Sequence, residues 1–385
     1  MDTEVIYLDH AAATPLDSKV LQAMQPYFSD AFYNPSAPYA PAIAVRREYE
    51  AAKQVIAQCI GAKGDDIIIT AGATESINLA FASVDGHVIT SSIEHHAVLA
   101  AAKQKQEVTL LEPLPTGMVS AVSVRDALKP TTQLVSIALA NNELGTIQPL
   151  REIAEVIKQE RQARLARGDH TPLYLHSDAS QGAGQLDINV ARLGVDLLTL
   201  NAAKIYGPKQ VGLLWSASSV VLRPLVLGGG QERGLRSGTE NVAGVIGFAK
   251  ALELASQHRK FESSRLMKLR DMLQRHLTQT FSTAVVSGHE RHRLAGHLHI
   301  SFPGIDAERV VFALEAKRVL LATGSACAAN KGTRSHVLTG IGLAPEVADG
   351  SLRITLGKLS NEENTVRAAT HIITVLTAEY ARKNK

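Results

Sequence analysis

The chain has 385 residues, 45 % of them hydrophobic and 20 % charged, with a formal net charge of +3. That composition excludes wholesale disorder and predicts one large domain with a smaller one beside it. The charge shows no basic run, which argues against direct nucleic-acid binding, and the two cysteines, Cys59 and Cys327, are too few for a disulfide framework or a cysteine-rich zinc site.

The opening, MDTEVIYLDHAAATP, lacks the basic-then-apolar order of a secretory signal, and no apolar run reaches bilayer length. A cytoplasmic protein with no membrane association is expected. From residue 65 onward, apolar runs alternate with amphipathic stretches. Strands are expected at 66–70 (DIIIT), 87–91 (HVITS), 107–113 (EVTLLEP), 132–140 (TQLVSIALA), 172–180 (PLYLHSDAS), 195–200 (VDLLTL) and 211–216 (VGLLWS). Helices are expected at ATESINLAFASV, EHHAVLAAAKQK and LREIAEVIKQERQARLARG. Strand and helix in alternation, with strands apolar throughout, predict an α/β fold: a mostly parallel seven-stranded sheet covered on both faces.

After residue 240 the character changes. A long helical stretch over 241–279, expected to be interrupted, leads to strands at HLHISF and SLRITLG. These read as a smaller α+β domain, ending in a frayed basic tail, EYARKNK. The expected division is a large domain over 15–255 and a small one from 1–14 and 256–385. Four histidines, His289, His292, His297 and His299, sit in a loop and the strand after it without metal-ligand spacing, so no metal site is expected.

Ligands of an open α/β sheet bind beyond the carboxyl ends of its strands. Gly72, Ala73 and Thr74 open a helix there, which suits a phosphate; Thr74 with Glu75 nearby suits an ordinary N-cap equally. Asp178 ends one strand run, Asn141 and Asn142 follow another, and Lys204 follows the buried VDLLTL, with Gln181 and His95 at neighbouring ends. A desolvated lysine forms imines with aldehydes, and an aspartate is the usual partner of a pyridinium nitrogen. Together these residues point to pyridoxal 5'-phosphate.

The stretches YLDHAAATP, NPSA, AGATES, EHHAV, NNELGTIQP, HSDASQ, KIYGPK, GGGQERGLRSGTENVAG, GSAC and SLRITLG occur in that order. On them the chain resembles the NifS/IscS-like cysteine desulfurases, class V aminotransferases of the fold-type I group of pyridoxal phosphate enzymes. The resemblance implies Lys204 as the lysine that binds the cofactor and acts on the substrate. It implies Asp178 on the pyridine nitrogen, His95 stacked on the ring, and Gln181 and Asn142 near the phenolic oxygen. Ala73 and Thr74 would form the phosphate turn, joined by Thr239 across a homodimer interface. Asn34 and Arg353 would hold the substrate carboxylate, and Cys327 would take sulfur from L-cysteine as a persulfide and leave L-alanine. That sulfur would pass to an acceptor protein, an iron–sulfur scaffold or a tRNA-thiolation relay. Selenocysteine lyase or cysteine sulfinate desulfinase activity is the alternative within enzymes, and a degraded homologue acting as a sulfur-transfer scaffold is the alternative outside them.

One segment departs from the family pattern of Ser, a small residue and His before the lysine. Here those places hold Asn201, Ala202 and Ala203. The resemblance implies that at least one phosphate contact is lost, of which the Asn201 amide would recover part, so weaker cofactor affinity is expected. Cys59, within the helical KQVIAQCIGA, reads as a small hydrophobe.

Overall fold

The computed structural model describes residues 4–324 and 334–383. A short strand β1 (Ile6–Tyr7) precedes β2 (Ile67–Thr70), β3 (His87–Ser91), β4 (Val108–Leu111), β5 (Thr132–Ser136), β6 (Tyr174–Asp178), β7 (Leu197–Asn201) and β8 (Gly212–Ser216). The last seven form one sheet in the order β2-β8-β7-β6-β5-β3-β4. Only β8 runs against its neighbours; the other pairings are parallel.

These strands are apolar on both faces because helices cover both. Ile67 and Ile69 of β2, Val135 of β5 and Leu198 and Leu200 of β7 face one core, with Tyr49, Ile56 and Phe248. Their alternate neighbours Ile68, Leu134 and Leu197 face a second core, with Ile77, Phe81 and Val98. Alternation of a two-residue period across a doubly covered sheet is what makes each strand read as a continuous apolar run. The parallel order carries the carboxyl ends of β2, β3, β5, β6 and β7 to one edge.

The remaining strands, β9 (Val285–Ser287), β10 (His297–Ser301), β11 (Val319–Leu320), β12 (Ala322–Thr323) and β13 (Ser351–Thr355), lie apart. β12-β13-β10-β9 make an antiparallel sheet, and β1 pairs with β11. Their core holds Leu8, Leu298, Ile300, Phe302, Ile354 and Leu376.

Two expectations are corrected. The helix Val242–Thr280 runs 39 residues without interruption. It has no internal proline, and its two ends are buried in different cores, Phe248 and Leu252 in the first and Leu266 and Leu273 in the second. Its polar centre bridges the two cores. The C-terminal segment is not frayed as far as Lys383: the helix Glu362–Lys383 includes it, and Lys383 Nζ donates to Gly304 O at 2.8 Å.

Candidate active site

At the carboxyl edge of the large sheet lies a cavity of about 290 Å³. Ala73, Thr74, His95, Asn142, Asp178, Gln181, Asn201, Lys204 and Arg353 all line it. Asn34 and Thr239 do not. Asn34 is exposed in the loop before the helix Ala40–Ile60, its Oδ1 occupied by the Ser36 N–H at 2.9 Å, so it does not pair with Arg353 within the chain. Thr239 is exposed as well. Cys327 lies outside the described residues.

One end of the cavity is a bare helix terminus. Gly72 is the N-cap of Ala73–Ala82 and offers no capping side chain. Glu75 is engaged elsewhere, taking the Ala71 N–H at 2.7 Å and Arg236 Nε at 2.9 Å. The ordinary-cap reading of Thr74 therefore fails, and the first-turn N–H groups face the cavity without a side-chain acceptor. Gly72 has φ +147°, and a Cβ on Gly212 would stand 2.6 Å from Gly72 Cα, so β8 can pass beneath this turn only as glycine. Asn201 stands nearby. Its Oδ1 accepts from Ala203 N at 3.1 Å, which leaves its amide as a donor.

Lys204 sits where β7 passes into a single 3₁₀ turn, Ala202–Lys204. Its Nζ donates to Ala11 O at 2.8 Å and Ala12 O at 2.7 Å. Burial lowers its pKa, the Arg353 charge lowers it further, and Asp178 and Asp9 oppose both. His95 caps the helix His96–Ala102, its Nδ1 accepting from Ala97 N at 3.1 Å. Burial lowers its pKa against the pull of Asp178. A neutral ring with Nδ1 as acceptor carries its proton on Nε2. Gln181 Nε2 shares the Ala11 carbonyl at 3.0 Å, and Asp178 accepts from Ser180 N at 2.9 Å. Arg353 pairs with Asp9 at 2.7 Å and reaches Asn142 O at 3.5 Å, while its buried Nε has no hydrogen-bond partner. A guanidinium with donors to spare suits a carboxylate.

Among the titratable cavity residues, Glu94, His96, Glu143 and His336 received no role from the sequence. Glu94 accepts from Ala138 N at 2.9 Å through one oxygen, its other oxygen is buried without a partner, and burial pushes its pKa up to about 8. The rings of His96 and His336 lie 4.6 Å apart. Nothing in the sequence singled these residues out: Glu94 follows Ser-Ser-Ile, Glu143 follows two asparagines, and His336 lies in SHVL, remote from both. Among the described residues no three His, Cys, Asp or Glu side chains are placed to hold a metal, and no helix is long and apolar enough to cross a membrane.

The donor set fits pyridoxal phosphate. The bare helix terminus and Asn201 would hold its phosphate, Asp178 its ring nitrogen, His95 its ring face, and Lys204 would meet its aldehyde.

The family described as aminotransferase class-V matches residues 6–367. A relative from Dictyoglomus turgidum, named cysteine desulfurase IscS, is 40 % identical over 370 residues, covering 93 % of this chain and 91 % of its own. Among solved structures, a NifS-like protein superposes with a TM-score of 0.89 at 31 % identity, over 97 % of this chain and all of that one. A structure described as SspA in complex with cysteine gives a TM-score of 0.77 at 34 % identity, over 91 % of this chain and 98 % of that one. With such matches along nearly its whole length, the chain belongs to the class V aminotransferase family, whose cofactor is pyridoxal phosphate.

Proposed function

We propose that this chain is a cysteine desulfurase, acting in the cytoplasm as a homodimer that converts L-cysteine to L-alanine and places the sulfur on Cys327. The carrying observation is the convergence of Lys204, Asp178, His95 and Arg353 on one cavity whose far end is an uncapped helix terminus. On this reading the large domain over 15–255 holds that cavity's floor, and the small domain, 1–14 and 256–385, contributes Arg353 to its lining and carries Cys327 in its sequence.

Bound there, pyridoxal phosphate supplies an electron sink that makes the substrate's Cα–H acidic. Arg353 orients the substrate by its carboxylate. Lys204 Nζ, made less basic by burial, takes the Cα proton and later returns a proton to the carbon skeleton. His95 Nε2 handles the proton of the substrate thiol. Cys327 Sγ attacks the substrate sulfur. The Cβ–S bond breaks, an S–S bond forms, and a hydrogen replaces sulfur on the departing alanine, so thiol plus thiol gives alanine plus persulfide with no outside oxidant. The exposed Thr239 would reach the partner protomer's cavity, and an acceptor protein would collect the sulfur.

The test is product analysis with L-cysteine, saturating cofactor and a thiol reductant. Sulfide and alanine are expected in equal amounts, and neither from Lys204→Ala or Cys327→Ala. A keto acid without sulfide would mark an aminotransferase. Activity on selenocysteine that survives Cys327→Ala, with none on cysteine, would mark a lyase.

A further inference from the structure

The segment 325–333 carries Cys327, and the residues on either side of it meet at one side chain. On one side β12 pairs with β13, Ala322 opposite Arg353, and Gly324 follows. On the other, Ser335 caps the helix His336–Gly340, its Oγ accepting from Val337 N at 3.2 Å and Leu338 N at 3.4 Å. Between the two flanks stands the carboxyl of Glu143. Its Oε2 accepts from Ser335 Oγ at 2.6 Å. A Cβ added to Gly324 would stand 2.8 Å from that same oxygen and 3.4 Å from Ser335 Cβ. The two flanks are thus pinched together over a single oxygen.

Glu143 is itself firmly held. Asn141 Oδ1 accepts from the N–H groups of Glu143 and Leu144, both at 2.9 Å, and Asn141 Nδ2 donates to Ile93 O at 2.9 Å. The Glu143 side chain is 1 % exposed, and a carboxyl so buried is costly unless its hydrogen bonds matter. Burial raises its pKa, while Ser335 and the charge of Arg353 draw it back. It also lines the cavity together with Arg353 and His336. His336 adds a second tie, Nε2 to Glu94 O at 2.9 Å.

We infer that Glu143 is a positioning residue for sulfur transfer: it fixes both flanks of the Cys327 segment at the cavity edge and thereby sets the reach of the thiol. The inference rests on the desulfurase reading. A group that acts this way leaves proton removal by Lys204 intact and slows only the step that needs Cys327.

Two readouts separate those steps in the cofactor-saturated protein. Exchange of the L-alanine Cα hydrogen in D₂O, followed by NMR, needs Lys204 and not Cys327. Persulfide on Cys327 after a single turnover of L-cysteine, followed by mass spectrometry, needs both. In Glu143→Ala, exchange should match wild type while persulfide formation falls about 10²-fold, the effect of an ångström-scale misplacement. Gly324→Ala, which drives a Cβ against Oε2, should reproduce that split. Glu143→Gln retains an oxygen to accept from Ser335 and should recover most of the rate. Undiminished transfer in Glu143→Ala would overturn the inference. So would a Glu143→Gln as slow as Glu143→Ala, or a parallel loss of exchange and transfer. A wild type that exchanges alanine yet never carries sulfur on Cys327 would remove the desulfurase reading, and this inference with it.

Discussion

At the scale of residues, the phosphate end of the cavity is where this chain differs from its family's pattern. Asn201 spends Oδ1 on Ala203 N and keeps only its amide for an anion, and Ala202 and Ala203 have nothing to offer. A hydrogen bond to a charged group contributes roughly 1.5–3 kcal/mol. Ala203→His should therefore tighten pyridoxal phosphate by about tenfold to a hundredfold in an absorbance titration. Equal affinity in variant and wild type would show that the missing contacts are made good elsewhere. Lys204 and Asp178 stood out in the sequence because a charged residue at the end of a buried strand is unusual enough to need a reason, whereas Arg353 was singled out only by the family resemblance of SLRITLG. Glu143 was not legible. In NNELG it reads as a solvated loop acid, and its burial depends on Gly324 and Ser335, which are remote in sequence.

At the scale of elements, the strands could be read from composition, since each alternates between two apolar cores. The continuity of Val242–Thr280 could not, because its polar middle is explained only by the two cores at its ends. β10 presents a further case. His297 and His299 are fully buried there, neither ring has a hydrogen-bond partner, and His299 stands opposite Arg353 on β13. Burial, reinforced by that arginine, pushes both pKa values down to about 3. Both rings are neutral when folded, whereas the unfolded chain takes up a proton on each below about pH 6.5. Folding stability should therefore fall with falling pH between about 6.5 and 3, by about 1.4 kcal/mol per pH unit for each histidine. Denaturant melts across that range check this. His299→Leu should flatten the slope by about one proton, and an unchanged slope would show that the ring is not neutral in the fold.

At the scale of the whole molecule, one protomer leaves Thr239 with no role in its own cavity. Upstream of it Val221, Leu225, Val226 and Leu227 are exposed apolar side chains, the composition of a surface that another chain covers. Sedimentation should find twice the chain mass, and Thr239→Ala should weaken cofactor binding about tenfold or more. A monomer that binds the cofactor undiminished would contradict the arrangement. On the proposed reading, the residues that would seat the cofactor and the carboxylate line one cavity of the described fold, while the sulfur's destination depends on a single thiol.

The most direct test of the account is therefore where the sulfur goes. Wild-type protein, loaded with pyridoxal phosphate and given L-cysteine without reductant, is digested after blocking of free thiols and mapped by mass spectrometry. The chain has two cysteines, and Cys59 is half-buried in a helix with its thiol pKa raised by burial, a poor nucleophile. The account predicts one added sulfur atom on Cys327 and none on Cys59, with an equivalent of alanine released. Alanine released while Cys327 stays unmodified would contradict it.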